Sequence, residues 1–232
     1  MMDTFRLTIS QLNPIVGNFE KNFIKVIEAW DNSKKDKANM LALPEMFITG
    51  YQTQDLVLKK AFVEEAEQEI KKIAAHCSKG PAIGIGHPLS RDGNLYNAYS
   101  ILRDGRILVS ILKQTLPNNG VFDEKRLFSS GPMNGPYCSD NLRIGAPICE
   151  DAWFPDVPEA LAETGAELLL VPNGSPYSRS KHDIRLNTMI SRVVETNLPL
   201  IYLNIKTKIK SLSRFIANYF LSTIVADHIA SA

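Results

Sequence analysis

Apolar and polar positions along this chain follow two different periods, which predict strands and helices in turn. Strands are predicted in 5–12, 38–46, 81–89, 95–113 (two strands), 142–149, 166–176 and 198–204. Helices are predicted in 18–35, 55–79, 154–166 and 185–197. Between the two strands of 95–113, Asp104 and Gly105 predict a hairpin turn. Strands separated by helices, with one hairpin, predict an α/β sandwich with mixed sheets.

The glycine and proline content of the chain changes after Asn204. All 13 glycines lie at or before Gly174, and the segment 205–232 contains neither glycine nor proline. Turn signals are therefore missing where a sheet would be completed, and the pattern favours one or two helices with a basic start. We predict a domain over residues 1–204 followed by a divergent tail over 205–232.

Composition narrows the class of protein. The 232 residues are 44% hydrophobic and carry 26 Lys and Arg against 25 Asp and Glu, so the charge gives no reason to expect nucleic acid or an acidic membrane surface. No apolar stretch approaches the ~20 residues of a membrane span, and no signal peptide precedes the first strand. Three cysteines without C-x-x-C spacing, and scattered histidines, predict a cytoplasmic protein without a disulfide framework or metal site.

Three reactive side chains each follow an apolar strand pattern: Glu45, Lys113 and Cys149. Ligand sites in α/β sheets gather beyond the carboxyl ends of strands, so these three side chains are candidates for one site. Glu45 would take the thiol proton, and Lys113 would lower the thiol pKa and stabilise an oxyanion. The acids Glu150 and Asp151 are expected to turn away from the thiol, because successive strand residues face opposite sides.

A purely structural interpretation of the same residues stays open at this point. A cysteine at a strand end often packs as a small apolar side chain, a glutamate after proline often lies in a solvated loop, and a terminal lysine often reaches solvent. The other two cysteines are interpreted as structural, because Cys77 ends a long helix and Cys138 lies in a predicted loop. Spacing by itself does not decide between packing and chemistry.

Three segments carry a resemblance to a known family. "LALPEMFITGY" (41–51), "KQTLPNNGVFDEKRLF" (113–128) and "RIGAPICEDAWFP" (143–155) resemble the catalytic segments of the nitrilase superfamily of carbon–nitrogen hydrolases. Within it, the sequence is most similar to the glutaminase domains of glutamine-dependent NAD+ synthetases, a branch that 8–22 and 171–204 also resemble. The resemblance covers roughly residues 5–204.

The resemblance implies an α–β–β–α sandwich and a set of site residues. It implies Cys149 as nucleophile, Glu45 as proton acceptor and donor, Lys113 as oxyanion partner and Glu124 as a supporting second glutamate. It also implies that Ser175 and Lys181 contact the substrate. Asn119 stands where the family usually has a tyrosine that contacts the substrate, which makes Asn119 a substrate-binding candidate and a departure from the pattern.

The activity implied is hydrolysis of the glutamine side-chain amide through a glutamyl thioester, with no cofactor for that step. ATP, magnesium and deamido-NAD would act only in a synthetase domain, which we expect to be absent from this chain. A homo-oligomer or association with a synthetase domain is expected. Two alternatives remain: a stand-alone amidase for another small amide, supported by Asn119, and an inactive remnant or partner-binding fragment from a shortened gene product, supported by the change after Asn204.

Overall fold

The computed structural model describes residues 5–118, 120, 122–175, 181–206 and 222–224. The helices are α1 (Phe19–Lys35), α2 (Lys60–His76), α3 (Glu124–Leu127), α4 (Asp156–Glu163) and α5 (Lys181–Thr196), with short 3-10 helices at Gln54–Leu58 and Cys149–Ala152. The strands are β1 (Leu7–Ile9), β2 (Met40–Ala42), β3 (Ala82–Arg91), β4 (Asn94–Arg103), β5 (Arg106–Leu112), β6 (Tyr137–Ser139), β7 (Leu142–Gly145), β8 (Leu168–Asn173), β9 (Leu200–Asn204) and β10 (Ser222–Ile224).

The strands form two mixed sheets. The first has the order β1-β2-β3-β4-β5, in which β1, β2 and β3 are parallel and β3, β4 and β5 are antiparallel. The second has the order β10-β9-β8-β7-β6, with a parallel centre and an antiparallel strand at each edge. The predicted α/β class with mixed sheets is confirmed.

Four layers follow from where the apolar side chains are buried. The inner faces of the two sheets share one core, in which Met40, Tyr99 and Ile111 of the first sheet meet Ile144 and Leu170 of the second. Helices α1 and α2 cover the outer face of the first sheet, and α4 and α5 cover the outer face of the second. The α–β–β–α sandwich implied by the resemblance is therefore confirmed.

Several predicted elements differ in their bounds. Strand β1 is shorter than predicted, and the helix predicted over 55–79 begins as a 3-10 helix before α2. The strand predicted over 142–149 ends at Gly145, four residues before Cys149. Helix α3 and strand β6 were not predicted, and Cys138 lies in β6 rather than in a loop. These short elements lie below the length at which apolar periodicity can be recognised.

The helical prediction for the tail is wrong at residues 222–224, which form β10 antiparallel to β9. The β-branched residues Thr223 and Ile224 suit a strand, and β10 occupies the pairing edge that β9 would otherwise leave open. The remainder of the tail lies outside the described residues. The domain boundary at residue 204 stays a prediction.

A close backbone contact at Gly86 sets the position of Glu45. A Cβ atom on Gly86 would lie 2.1 Å from the backbone N of Met46 and 2.6 Å from the Cα of Glu45. Gly86 also donates its N–H to the carbonyl of Pro44 at 3.2 Å and accepts the N–H of Ile48 at 3.3 Å. Only glycine fits here, so the loop that carries Glu45 is held directly against β3.

Candidate active site

Glu45, Lys113 and Glu124 meet in one buried cluster beyond the ends of β2 and β5. The Nζ atom of Lys113 lies 2.7 Å from Oε1 of Glu45 and 2.9 Å from Oε2 of Glu124. The side chains of Glu45 and Lys113 are fully buried, and that of Glu124 is only 4% exposed. The structure thus brings together three of the predicted site residues, and the surface interpretation of Lys113 is wrong.

Further donors hold the Glu45 carboxylate. Its Oε1 accepts hydrogen bonds from Lys113 Nζ and from Nδ2 of Asn97, the latter at 2.8 Å. Its Oε2 accepts the backbone N–H of Gly174 at 2.7 Å. A protonated lysine has three N–H bonds, so after its contacts with the two glutamates Lys113 retains one for a substrate oxygen.

Cys149 lies beside this cluster in an unusual backbone conformation. It is the first residue of the 3-10 helix Cys149–Ala152, with φ of 49° and a relative exposure of 2%. A non-glycine residue with positive φ is uncommon, and such conformations cluster at functional sites because the surrounding structure must hold them. Glu45, Lys113 and Glu124 all act electrostatically on its thiol. The predicted convergence of thiol, acid and amine is therefore present.

The thiol of Cys149 is protonated in the resting site. Burial raises its pKa well above the ordinary value, Glu45 raises it further, and Lys113 lowers it only in part. Lys113 lowers the thiol pKa, as predicted, but burial and the carboxylates outweigh the ammonium, so the net pKa is raised. A protonated thiol needs a base when it attacks, and Glu45 is a carboxylate in position for that role.

Lys113 keeps its charge although its side chain is fully buried. Burial lowers the pKa of Lys113, but Glu124 and Glu45 raise it more, so that the net pKa lies well above the ordinary value. Burial also raises the pKa of Glu124, against the lowering effect of Lys113. The site therefore presents a permanent cation to any developing negative charge on a substrate.

Comparison with known proteins assigns the family. The family model described as "Carbon-nitrogen hydrolase" matches residues 6–227. The chain belongs to the carbon–nitrogen hydrolase family. It is 51% identical over 204 residues to the glutamine-dependent NAD(+) synthetase of Rhodobacter capsulatus, covering 88% of this chain and 37% of that protein. The corresponding synthetase of Thermotoga maritima is 34% identical over 206 residues, covering 88% of this chain and 36% of that protein.

Solved structures agree with this carbon–nitrogen hydrolase assignment. The glutamine-dependent NAD+ synthetase of Acinetobacter baumannii superimposes with a TM-score of 0.79 at 31% identity, over 87% of this chain and 38% of that one. An amidase from Nesterenkonia sp. superimposes with a TM-score of 0.75 at 22% identity, over 87% of this chain and 76% of that one, and so shares the fold. The chain spans 37% of the length of its Rhodobacter relative.

Asp151 connects the two backbone segments that carry the lysine and the cysteine of this hydrolase site. Its buried carboxylate accepts three backbone N–H bonds, from Gln114 at 3.1 Å, Thr115 at 2.6 Å and Ile148 at 3.0 Å. Asp151 lies on a 3-10 helix, so strand alternation was the wrong reason for expecting it to turn from the thiol. These backbone contacts explain why an aspartate stands two residues after Cys149.

Asp151 should make stability depend on pH. Burial raises the pKa of Asp151 to about 6, against the opposing effects of its backbone hydrogen bonds and Lys113. A raised folded-state pKa gives stability that is complete below about pH 4 and is lost as pH rises through 6. We expect the stability of the wild type relative to Asp151→Asn to fall by roughly 3 kcal/mol between pH 4 and pH 7. Denaturant unfolding across this range measures it; parallel curves for the two proteins would refute the assignment.

The predicted substrate-side residues are only partly described. Ser175 is buried directly after Gly174; its N–H donates to Oδ1 of Asn204 at 3.0 Å and its Oγ accepts from Arg185 at 3.0 Å. Ser175 therefore lies next to the backbone that holds Glu45. Lys181 is the first residue of α5, and Asn119 lies outside the described residues.

The other two cysteines lie apart from this cluster in the fold. Cys77 is buried at the end of α2, where burial raises its thiol pKa to about 12, and Cys138 is exposed on β6. Over the described ranges, no group of three or more His, Cys, Asp or Glu side chains is arranged to hold a metal ion. None of the described helices is long and apolar enough to cross a membrane.

Proposed function

We propose that this chain hydrolyses the side-chain amide of glutamine to glutamate and ammonia, with Cys149, Glu45 and Lys113 as catalytic residues and Glu124 in support. The observation that carries this proposal is the buried ion pair of Lys113 with Glu45 at 2.7 Å, beside a protonated thiol. A structural cysteine needs neither a buried carboxylate nor a buried ammonium next to it. The name of the Rhodobacter relative supports glutamine as the substrate.

The first half of the reaction forms a thioester. Glu45 takes the proton of the Cys149 thiol as the sulfur attacks the carboxamide carbon, which breaks the carbonyl π bond and places the negative charge on oxygen. The remaining N–H of Lys113 and a backbone N–H of the turn at Cys149 stabilise this oxyanion. Glu45 then gives its proton to the amide nitrogen, and ammonia leaves a glutamyl thioester.

The second half releases glutamate. A water molecule loses a proton to Glu45 and attacks the thioester carbonyl, and Lys113 again stabilises the oxyanion. Collapse of this intermediate breaks the carbon–sulfur bond, and Glu45 returns the proton to Cys149. Ser175, Lys181 and Asn119 are proposed to contact the glutamine. The hydrolytic step requires no cofactor in this scheme.

We propose that an NAD+ synthetase uses the ammonia that this hydrolysis releases. The Rhodobacter and Acinetobacter relatives are named as glutamine-dependent NAD+ synthetases, and the chain matches little more than a third of either. ATP, magnesium and deamido-NAD would be used by a synthetase domain rather than by residues 1–204. Exposed apolar side chains on α5, with Val194 74% exposed, support a homo-oligomer or association with such a domain.

Covalent labelling tests the proposed function. The purified chain is exposed to a glutamine analogue in which a diazoketone replaces the carboxamide, and its intact mass is measured beside that of Cys149→Ala. We expect a single adduct on the wild type that is absent from the variant and prevented by excess glutamine. The matched controls Cys77→Ala and Cys138→Ala should label like the wild type, because Cys77 is buried at the end of α2 and Cys138 is exposed on β6, apart from the Glu45–Lys113 pair.

Two results would contradict the proposal. Labelling spread equally over Cys77, Cys138 and Cys149 would mean that the assembled cluster does not activate the thiol. An adduct that other small amides prevent better than glutamine would indicate an amidase with a different substrate. Ammonia release from glutamine, asparagine and short aliphatic amides, measured side by side, identifies which substrate is used.

A further inference from the structure

The two carboxylates of the site share a single cation. Glu45 and Glu124 both contact the ammonium of Lys113, at 2.7 Å and 2.9 Å, in a region without solvent exposure. Buried carboxylates without enough donors take up a proton, which would remove the base that the thiol needs. One ammonium cannot satisfy both groups, so neutral donors must contribute. Gly174 supplies a neutral donor to Glu45 and Tyr51 supplies one to Glu124.

Asn97, on β4, donates to both carboxylates. Its fully buried amide donates one N–H to Oε1 of Glu45 at 2.8 Å and the other to Oε1 of Glu124 at 3.3 Å. Its backbone carbonyl accepts the N–H of Lys113 at 2.8 Å. Asn97 therefore contacts all three charged residues of the cluster, and nothing in the proposed chemistry assigns it a role.

The orientation of the Asn97 amide is set by the carboxylates. Its Oδ1 atom is buried and has no hydrogen-bond partner among the described residues, which costs stability. Turning the amide over would direct Oδ1 at Oε1 of Glu45 and of Glu124, where oxygen would face oxygen. In the observed orientation Oδ1 of Asn97 has no hydrogen bond, and both N–H groups donate to the glutamates.

We propose that Asn97 is a positioning residue that holds the Glu45 carboxylate in place relative to Glu124, so that Glu45 can accept the Cys149 proton. The inference rests on the proposed function only in taking Glu45 as the base. It does not depend on glutamine being the substrate. Asn97 itself touches neither the thiol proton nor a substrate in this role.

Other ionisable groups face Glu45 and must be held constant in a test. Those that interact electrostatically with it are Tyr51, Lys113, Glu124, Cys149 and Tyr202. They come from the loop after β2, the segment after β5, α3, the 3-10 helix at Cys149 and β9. A substitution at Asn97 leaves every one of them in place, so a change in proton affinity reports on the lost donors.

The test uses the reactivity of Cys149 with iodoacetamide in Asn97→Leu, a variant of similar size without donors. The alkylation rate at Cys149 is followed by peptide mass spectrometry from pH 4 to pH 9. We expect the midpoint of the rise in rate to move upward by about one pH unit, with reactivity below the midpoint reduced about tenfold, because fewer donors favour the protonated carboxylate. Asn97→Ala also removes the donors without adding a charge, and it should shift the midpoint in the same direction.

The matched control is Asn22→Leu. Asn22 is equally buried, but its amide bonds only backbone groups of Ile15 and Ile48. This control should lower stability without moving the midpoint. If Asn97→Leu does not fold, Asn97→Ala decides the question. An unchanged midpoint, or a loss of reactivity by the same factor at every pH, would overturn the positioning role and leave Asn97 as packing.

The alkylation midpoint and the release of ammonia from glutamine test the role of Asn97 and the proposed function separately. A shifted midpoint in a chain that releases no ammonia from glutamine supports the role of Asn97 and rejects the substrate. Glutamine hydrolysis with an unshifted midpoint supports the substrate and rejects the role of Asn97.

Discussion

Glu45→Gln is expected to lower kcat for amide hydrolysis about a thousandfold and to slow the alkylation of Cys149. Glutamine at this position cannot accept the thiol proton, so the base-assisted attack is lost. Loss of the carboxylate removes one of the effects that raise the pKa of the Cys149 thiol, but burial, the larger effect, remains, so the thiol stays protonated. The variant should therefore be alkylated by iodoacetamide more slowly than the wild type, in the same direction as Asn97→Leu.

Glu45→Gln should still fold, because one of its effects lowers the free energy of unfolding and the other raises it. A glutamine keeps an oxygen that can accept from Lys113 and Asn97, but its NH2 group would face the N–H of Gly174, which then loses its acceptor. An unsatisfied buried donor costs about 1–3 kcal/mol. In return, a single carboxylate, Glu124, remains to pair with Lys113. We expect a change in unfolding free energy of no more than about 2 kcal/mol.

The control is Glu69→Gln, which removes a buried glutamate charge on α2, where Glu69 pairs with Lys72 at 2.6 Å. It should retain nearly full activity, because Glu69 belongs to none of the contacts that build the site. Ammonia release and iodoacetamide alkylation are measured on both variants. Wild-type turnover and alkylation in Glu45→Gln would mean that another group takes the thiol proton. A loss of unfolding free energy well above about 2 kcal/mol would mean a misfolded site.

Glu45 and Lys113 could be predicted from the sequence because each of them follows an apolar run. Such runs predict buried strands, and the ends of β2 and β5 are where Glu45 and Lys113 meet. The resemblance added Glu124, whose four-residue helix is too short for periodicity to reveal. Apolar pattern and motif together were therefore enough to predict both the layers of the fold and the charges of the site.

Neutral partners of the site could not be found in the same way. Asn97 lies 52 residues from Glu45 and 27 from Glu124 in the chain, and a polar residue within a strand is usually interpreted as facing solvent. The positive φ of Cys149 has no sequence signal, since cysteine rather than glycine occupies that position. The Tyr51 hydroxyl donates to Glu124 and the Gly174 N–H donates to Glu45, and these contacts form only when the two sheets pack together.

Lys113→Met is expected to destabilise the fold by about 3–5 kcal/mol and to abolish turnover. Methionine fills a similar volume, but it leaves Glu45 and Glu124 buried together without a cation. Breaking one side of a buried ion pair costs more than the pair contributes, because the remaining charge stays desolvated. Adding Glu124→Gln to this variant should restore part of the stability, since one of the two repelling charges is then absent.

The dependence of this loss on pH separates electrostatics from packing. Burial raises the pKa of Glu124 and Lys113 lowers it, so removing Lys113 should raise that pKa further. The carboxylate of the variant would then be protonated at a higher pH, and the destabilisation should be smaller at pH 5 than at pH 8. Lys72→Met, which removes a largely exposed partner of Glu69, should change stability little at either pH. An equal loss at both pH values in urea unfolding would mean that Lys113 contributes packing rather than charge, and its role as an oxyanion partner would then lack its electrostatic basis.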